Sequence, residues 1–200
     1  MGDEPPFFEE AVRRVEEKLG GLLGETVKIS VHLSLDRTLI DDVLGIDSQK
    51  FREELRYTTW DLIKRGEKKG FALVLVRADK EPIAFFFGYE DKDFPGGYYG
   101  DDMASLNEGI GVGSSLFTLV HIYCYENGFT HFSCHSEEVD ESGRKLREWY
   151  KAMGMNLVNT TSEEGDLLRV ELTPGHVNWG YHRYILGDKR YKRHYDGKFN

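Results

Sequence analysis

The sequence predicts an α/β fold of the α+β kind, a mixed sheet of about seven strands covered by helices on both faces. Three observations carry that expectation. One early segment alternates apolar and polar residues, and several later ones are short apolar runs. Stripes at three and four residues mark helices between them. The patterns succeed one another as strand, two helices, three strands, helix, strand, helix, two strands, which calls for both parallel and antiparallel neighbours.

Taken in order, Phe8, Val12, Val15, Leu19 and Leu22 form the stripe of an amphipathic helix that Gly20, Gly21 and Gly24 interrupt, an addition ahead of the core. Val27, Ile29, Val31, Leu33 and Leu35 alternate with mostly polar residues and make the first strand. Asp41 to Ile46 reads as a short helix, and Phe51, Leu55, Leu62 and Ile63 mark a longer one ending near Gly70. Phe71 to Arg77 and Ile83 to Glu90 are strands joined by a turn-rich link of hairpin length, and Tyr98 to Ala104 is the fourth strand. Leu116 to Tyr125 is apolar on more than one face, a buried helix stopped by Asn127-Gly128. Phe129 to His135 is the fifth strand. Asp140 or Ser142 suits the cap of a helix bearing Leu146, Trp149, Tyr150 and Met153, closed by Gly154. Leu157 to Thr161 and Leu167 to Leu172 make a last hairpin. The expected organisation is a helical extension over 1–24, a core domain over 25–175 and a basic, aromatic extension over 176–200.

Composition narrows the function classes. The 200 residues suit one domain, and no apolar run approaches the roughly 20 residues of a spanning helix, so a soluble protein with no membrane partner is expected. Met1 to Glu10 lack the basic flank and apolar stretch of a secretory signal, and the two cysteines, Cys124 and Cys134, are too few for a disulfide framework; a cytoplasmic location is expected. The net charge of -9 is uneven: Tyr181 to Asn200 holds six Lys/Arg against two Asp/Glu, which leaves -13 elsewhere. An acidic body repels nucleic acid and attracts cationic amines. The tail's mixture of basic residues with Tyr181, Tyr184, Tyr191 and Tyr195 suits RNA contact, although a solvated or domain-packed extension is the favoured expectation.

The chemistry centres on Asn107-Glu108-Gly109-Ile110-Gly111-Val112-Gly113-Ser114-Ser115-Leu116, three glycines immediately before a helix. Without side chains the backbone can approach a ligand, several N–H groups can point inward together, and the helix dipole favours a phosphate. A dinucleotide fingerprint would follow an early strand, and a P-loop would contain Gly-Lys-Ser/Thr; neither applies.

Asp101-Asp102-Met103 through Leu116 resembles motif A of the GNAT acyltransferases, a fourth strand followed by Gln/Arg-x-x-Gly-x-Gly/Ala and a helix. Arg144 to Met155, with Trp149-Tyr150 ahead of Met153-Gly154-Met155, resembles motif B, and with the element order the likeness spans roughly Val27 to Leu172. The resemblance implies a mostly antiparallel sheet splayed between the fourth and fifth strands. It implies acetyl-CoA as cosubstrate, its pyrophosphate on Glu108, Gly109, Ile110, Gly111, Val112, Gly113, Ser114 and Ser115, and its pantetheine in the gap beside Met103 and Ala104. A backbone N–H near Met103 then polarises the thioester carbonyl, and Tyr150 protonates the departing thiolate. Two positions depart from the pattern: Glu108 replaces the usual Gln/Arg, and Gly143 stands where Asn is common. A carboxylate at the phosphate turn weakens binding unless it points away.

The implied activity is acetyl transfer to a primary amine, a small molecule or a protein amine, by direct attack in a ternary complex. Asp101 is the chosen base, from Asp101, Asp102 and the Glu90 to Asp93 acids, all expected at the mouth of the cleft. The alternative is a catalytically silent module that binds a partner through the N-terminal helix and tail. Cys134 as nucleophile is disfavoured, because His135 points to the opposite strand face. His131, Cys134 and His135 lack metal-ligand spacing, and His176, His182 and His194 are dispersed, so no metal is expected. Trp179, Tyr181, Tyr184 and Ile185 are candidates for packing against a second subunit in a homodimer.

Overall fold

The computed structural model describes residues 5–139, 143, 145–161 and 165–191. The strands are β1 (Val27–His32), β2 (Ala72–Ala78), β3 (Glu81–Glu90), β4 (Gly97–Ser105), β5 (His131–Ser136), β6 (Asn156–Thr161) and β7 (Gly165–Glu171). They form one sheet in the order β1-β2-β3-β4-β5-β7-β6, in which β4 and β5 run parallel and all other neighbours are antiparallel. Helices α1 (Phe8–Leu23), α4 (Val112–Glu126), α5 (Leu146–Ala152) and α6 (Pro174–Gly180) cover one face. Helices α2 (Arg37–Lys50) and α3 (Thr59–Gly66) cover the other. The fold class and strand count are those the sequence predicts.

Double coverage explains the apolar runs of β2 and β3. Successive strand residues point to opposite faces, so Val74, Val76, Ala84 and Phe86 join the core under α1 and α4. Leu73, Leu75, Phe85 and Phe87 join the one under α2 and α3. Helix α1 adds Ala11, Val15 and Leu19, each at most 1% exposed, and burying a residue of the Val or Leu type contributes about 1.5–3 kcal/mol. Gly24 ends that helix with φ 73°, whereas Gly20 and Gly21 lie inside it.

Local capping decides where the sequence reading and the fold differ. Helix α2 outruns Asp41 to Ile46 because the Asp36 carboxylate accepts from Leu39 N at 2.8 Å and starts it four residues earlier. The longer helix expected from Phe51 does not form. Phe51 is extended, Glu53–Leu55 makes one 3-10 turn, and α3 begins only where Thr58 and Asp61 form a capping box. Strand β1 stops at His32, leaving Leu33 68% exposed. Asp140, Ser142 and Arg144 lie outside the described residues; α5 starts at Leu146 with Lys145 at its N-cap.

The described part of the C-terminal extension is packed. Thr173 caps α6 by accepting from His176 N at 3.1 Å, and a π turn over Tyr181–Ile185 follows. Val177, Tyr181 and Ile185 share the core of α1 and α4, and a Cβ on Gly180 would come within 3.2 Å of Thr118 Cγ2. Trp179, Tyr181 and Ile185 are buried within the chain, at 9%, 7% and 3% exposure. Tyr184 donates from its hydroxyl to Ala152 O at 2.5 Å. Residues 192–200, with Tyr195 and His194, lie outside the described residues, and with them half of the tail's charged residues. Among the described residues no helix is long and apolar enough to cross a membrane.

Candidate active site

The site begins where β4 and β5 part. Their pairing runs through only four positions, Gly97↔His131 to Gly100↔Cys134. Beyond it, Asp102 to Ser105 pair only with β3 and His135 to Ser136 only with β7. A bulge at the parting point bends β4: Gly88 faces Gly100 and Phe87 faces Asp102, so Asp101 is the extra residue. Glycine is required on both strands there. A Cβ on Gly88 would lie 2.4 Å from Tyr99 O, and one on Gly100 2.5 Å from Phe132 Cζ.

The parting exposes backbone. Leu106 N donates to Ile83 O on β3, and alternation then turns the Met103 N–H toward the open side. That N–H donates to Asp102 Oδ1 at 2.7 Å. Ala104 is 5% exposed with its side chain in the α2 and α3 core, and the same alternation turns its N–H toward β3.

Next along the chain, Gly109 (φ 80°) and Gly111 (φ 91°) adopt the left-handed conformation, and Gly111 is the N-cap of α4. No atom outside their own neighbours lies within 4 Å of a Cβ position on Gly109 or Gly113, which leaves those faces of the turn open. The amides of Val112, Gly113 and Ser114 head the helix, where the positive end of the dipole lies. Ile110 packs partly on the core, and Val112 is 1% exposed. Ser115 is displaced from the expected cradle: its N–H donates to Gly111 O, and its hydroxyl, fully buried, meets Lys18 Nζ at 3.1 Å.

Two lysines that sequence reasoning missed act on this turn. Lys50, at the end of α2, pairs with Glu108, which meets the condition that the carboxylate be engaged elsewhere. Lys18 of α1 also donates to Tyr184 O at 2.5 Å, and its Nζ is 3.8 Å from a Cβ position on Gly111. Burial lowers its pKa, and among the described residues no carboxylate pairs with it. Its hydroxyl and carbonyl partners lie at residues 115 and 184, far beyond any local pattern.

Tyr150 stands at the fork. Its ring packs edge-on against Phe117 at 5.5 Å, and its hydroxyl hydrogen-bonds the thiol of Cys134, the β5 residue of the last parallel pair. Burial pushes the Cys134 thiol up to about 12, so it is not a thiolate at neutral pH. His135 turns away, as its neighbouring strand position requires, and its Nδ1 shares a 3.0 Å hydrogen bond with the Tyr99 hydroxyl. Gly143 is exposed with φ 78° and precedes the helix.

The acids separate into three groups. Asp101 is held by Arg65 Nε at 2.5 Å, with its side chain 11% exposed. Asp102 is partly exposed, yet its carboxyl is pushed up to about 7, first by burial, with Asp47 and Asp101 adding to it against the opposing Met103 N–H and Arg65. The Glu90 to Asp93 acids are not at the mouth of the gap. They join β3 to β4 at the paired end, where Glu90 meets Lys69 at 2.7 Å and Asp91 accepts from Ser133 Oγ at 2.6 Å and from the amides of Asp93 and Phe94. Among the described residues no three His, Cys, Asp or Glu gather as metal ligands, although His176, expected to stand apart, meets His121 at 3.0 Å.

No family sequence model and no curated protein matches the chain. Solved structures do. An aminoglycoside 6'-N-acetyltransferase complexed with coenzyme A superposes with a TM-score of 0.62 at 12% identity, over 74% of this chain and 98% of that one. A putative acetyltransferase of the GNAT family from Desulfovibrio desulfuricans gives 0.60 at 14%, over 74% and 99%. The ribosomal-protein-S18-alanine N-acetyltransferase of Escherichia coli gives 0.58 at 10%, over 73% and 95%. At such identities the likeness is one of architecture, and the architecture of this chain is the GNAT acetyltransferase fold.

Proposed function

We propose that the protein is an N-acetyltransferase that moves the acetyl group of acetyl-CoA to a primary amine by direct attack in a ternary complex. One observation carries the proposal: strands β4 and β5 part after Gly100 and Cys134, directly beside an open glycine turn heading α4. The residues present fit the cosubstrate. Amides from Gly109 to Ser114 suit a diphosphate, with Lys18 nearby as a cation and Glu108 neutralised by Lys50. Ser115 is left out of that set because its groups are engaged.

The chain's own groups account for each proton. Met103 N–H leaves Asp102 Oδ1 and polarises the thioester carbonyl. Asp102 takes the proton of the incoming ammonium, in place of Asp101, whose carboxylate Arg65 already holds. The amine nitrogen bonds to the carbonyl carbon, the carbon–sulfur bond breaks, the Tyr150 hydroxyl gives its proton to the sulfur, and the proton that the nitrogen sheds as the amide forms returns to the Tyr150 oxygen. Several neighbours are named as enzymes acting on amines, which supports the acceptor class. Helix α1 and the described part of the C-terminal extension pack onto α4, which favours the acyl-transfer reading over a catalytically silent module that binds a partner through them. Thiol release from acetyl-CoA across a panel of primary amines tests the proposal. Amine-dependent release is expected, and its absence across the panel counts against the activity.

A further inference from the structure

On the α2 and α3 side of β4 lies a group of three acids, of which only Asp101 is ion-paired among the described residues. Asp102 faces Phe87 across the register, and the Tyr57 ring packs edge-on against Phe87 at 5.5 Å, with the Arg65 guanidinium 4.6 Å above Tyr57. Asp47, on α2, accepts from Tyr57 N at 3.2 Å through Oδ2. Its Oδ1 is buried without a hydrogen-bond partner, in a residue 1% exposed. The groups of this cluster are Asp47 from α2, Arg56 and Tyr57 from the α2 to α3 connection, Arg65 from α3, Lys68 from the α3 to β2 connection, whose Nζ lies 3.7 Å over the Tyr89 ring, Tyr89 from β3, and Asp101 and Asp102 from β4. Arg65 is committed to Asp101, and the Arg56 Nε donates to Phe51 O at 2.7 Å. Asp47 and Asp102 are left without a cation within 4 Å among the described residues.

A buried carboxylate oxygen with no donor costs free energy that a hydrogen-bonding cation would recover. We propose that Asp47 and Asp102 form the recognition site for a primary ammonium group, Asp102 meeting it from the open side of β4 and Asp47 offering its unpaired Oδ1. A primary ammonium has three N–H donors, enough to satisfy Asp47 Oδ1 and the free valence of Asp102 together. Burial first, and then the neighbouring Asp47 and Asp101 charges, raise the Asp102 carboxyl. The assignment rests on the acyl-transfer reading only in calling this ammonium the acceptor.

The test is titration calorimetry at pH 8 with the full chain, using 1,4-diaminobutane and glycinamide as primary ammoniums and tetramethylammonium as a cation without donors. Saturable binding of a primary ammonium is expected, weakened at least tenfold by Asp102→Asn and by Asp47→Asn, with no saturable binding of tetramethylammonium. Tighter binding of the diamine assigns the site to alkyl ammoniums and tighter binding of glycinamide to chain-terminal ones; either supports it. Equal binding of tetramethylammonium, or affinity unchanged in the substituted chains, overturns it. Should Asp47→Asn lose its cooperative urea transition, Asp102→Asn decides alone. Stabilisation by acetyl-CoA is followed in parallel: its absence with ammonium binding intact counts against acyl transfer and leaves the ammonium site standing.

Discussion

Replacing Asp102 by Asn isolates the largest electrostatic cost at the fork. In the folded chain this carboxyl titrates near 7 instead of its ordinary 3.8, because burial disfavours its charge. The folded state therefore keeps a proton that the unfolded chain has already released. Between pH about 4 and 7 the wild type loses up to about 1.4 kcal/mol of stability per pH unit from this group, and above pH 7 the loss levels off. The full shift corresponds to about 4 kcal/mol, an upper bound because Asp102 is partly exposed and water relaxes around it. Asparagine keeps an oxygen for the Met103 N–H and carries no charge. Urea unfolding from pH 5 to 8.5 should then show the two proteins within about 1 kcal/mol at pH 5 and the variant more stable by about 2–4 kcal/mol at pH 8.5. Parallel pH curves for the two proteins would refute the reasoning, since they would mean that Asp102 titrates alike in both states.

Further predictions concern the fork and the turn. Gly88→Ala would drive a methyl into Tyr99 O at 2.4 Å, a contact that only the backbone can relieve, and should lower stability by about 3 kcal/mol or more in urea unfolding. Tyr150→Phe should lower the acetyl-transfer rate about 100-fold or more while stabilisation by acetyl-CoA persists, as steady-state kinetics and thermal shift can show. Cys134→Ala should keep the activity, and native Cys134 should resist alkylation at pH 7.5, followed by mass spectrometry, because its thiol is buried and titrates at about 12. Gly109→Val forces a β-branched side chain into φ 80° and over the open turn; it should cost about 1–2 kcal/mol of stability and weaken acetyl-CoA binding in calorimetry.

What could be read in advance follows from how far each determinant reaches along the chain. The order of strands and helices was legible because periodicity and the apolar runs of β2 and β3 are local records of burial on one face or two. The glycine turn was legible because left-handed backbone at 109 and 111 favours glycine. Caps set the boundaries that moved: Asp36 lengthened α2, and the Thr58 and Asp61 box broke the long helix expected after Phe51. The bulge at Asp101 left no mark, since it depends on the register of β3 against β4, and without it neither the Arg65 pairing nor the isolation of Asp102 follows. Lys18, Lys50 and Asp47 were invisible for the same reason: their partners at 115, 108 and 57 are brought by the fold.

Backbone amide resonances followed during titration with acetyl-CoA put the central claim to its most direct test. The account predicts saturable shifts concentrated at Gly109 to Ser114 and at Met103, the amide released from Asp102, with a stabilisation of about 2.7 kcal/mol at a hundredfold excess over the dissociation constant. Saturable shifts elsewhere that leave the turn and Met103 unmoved, or no binding at all, would contradict it.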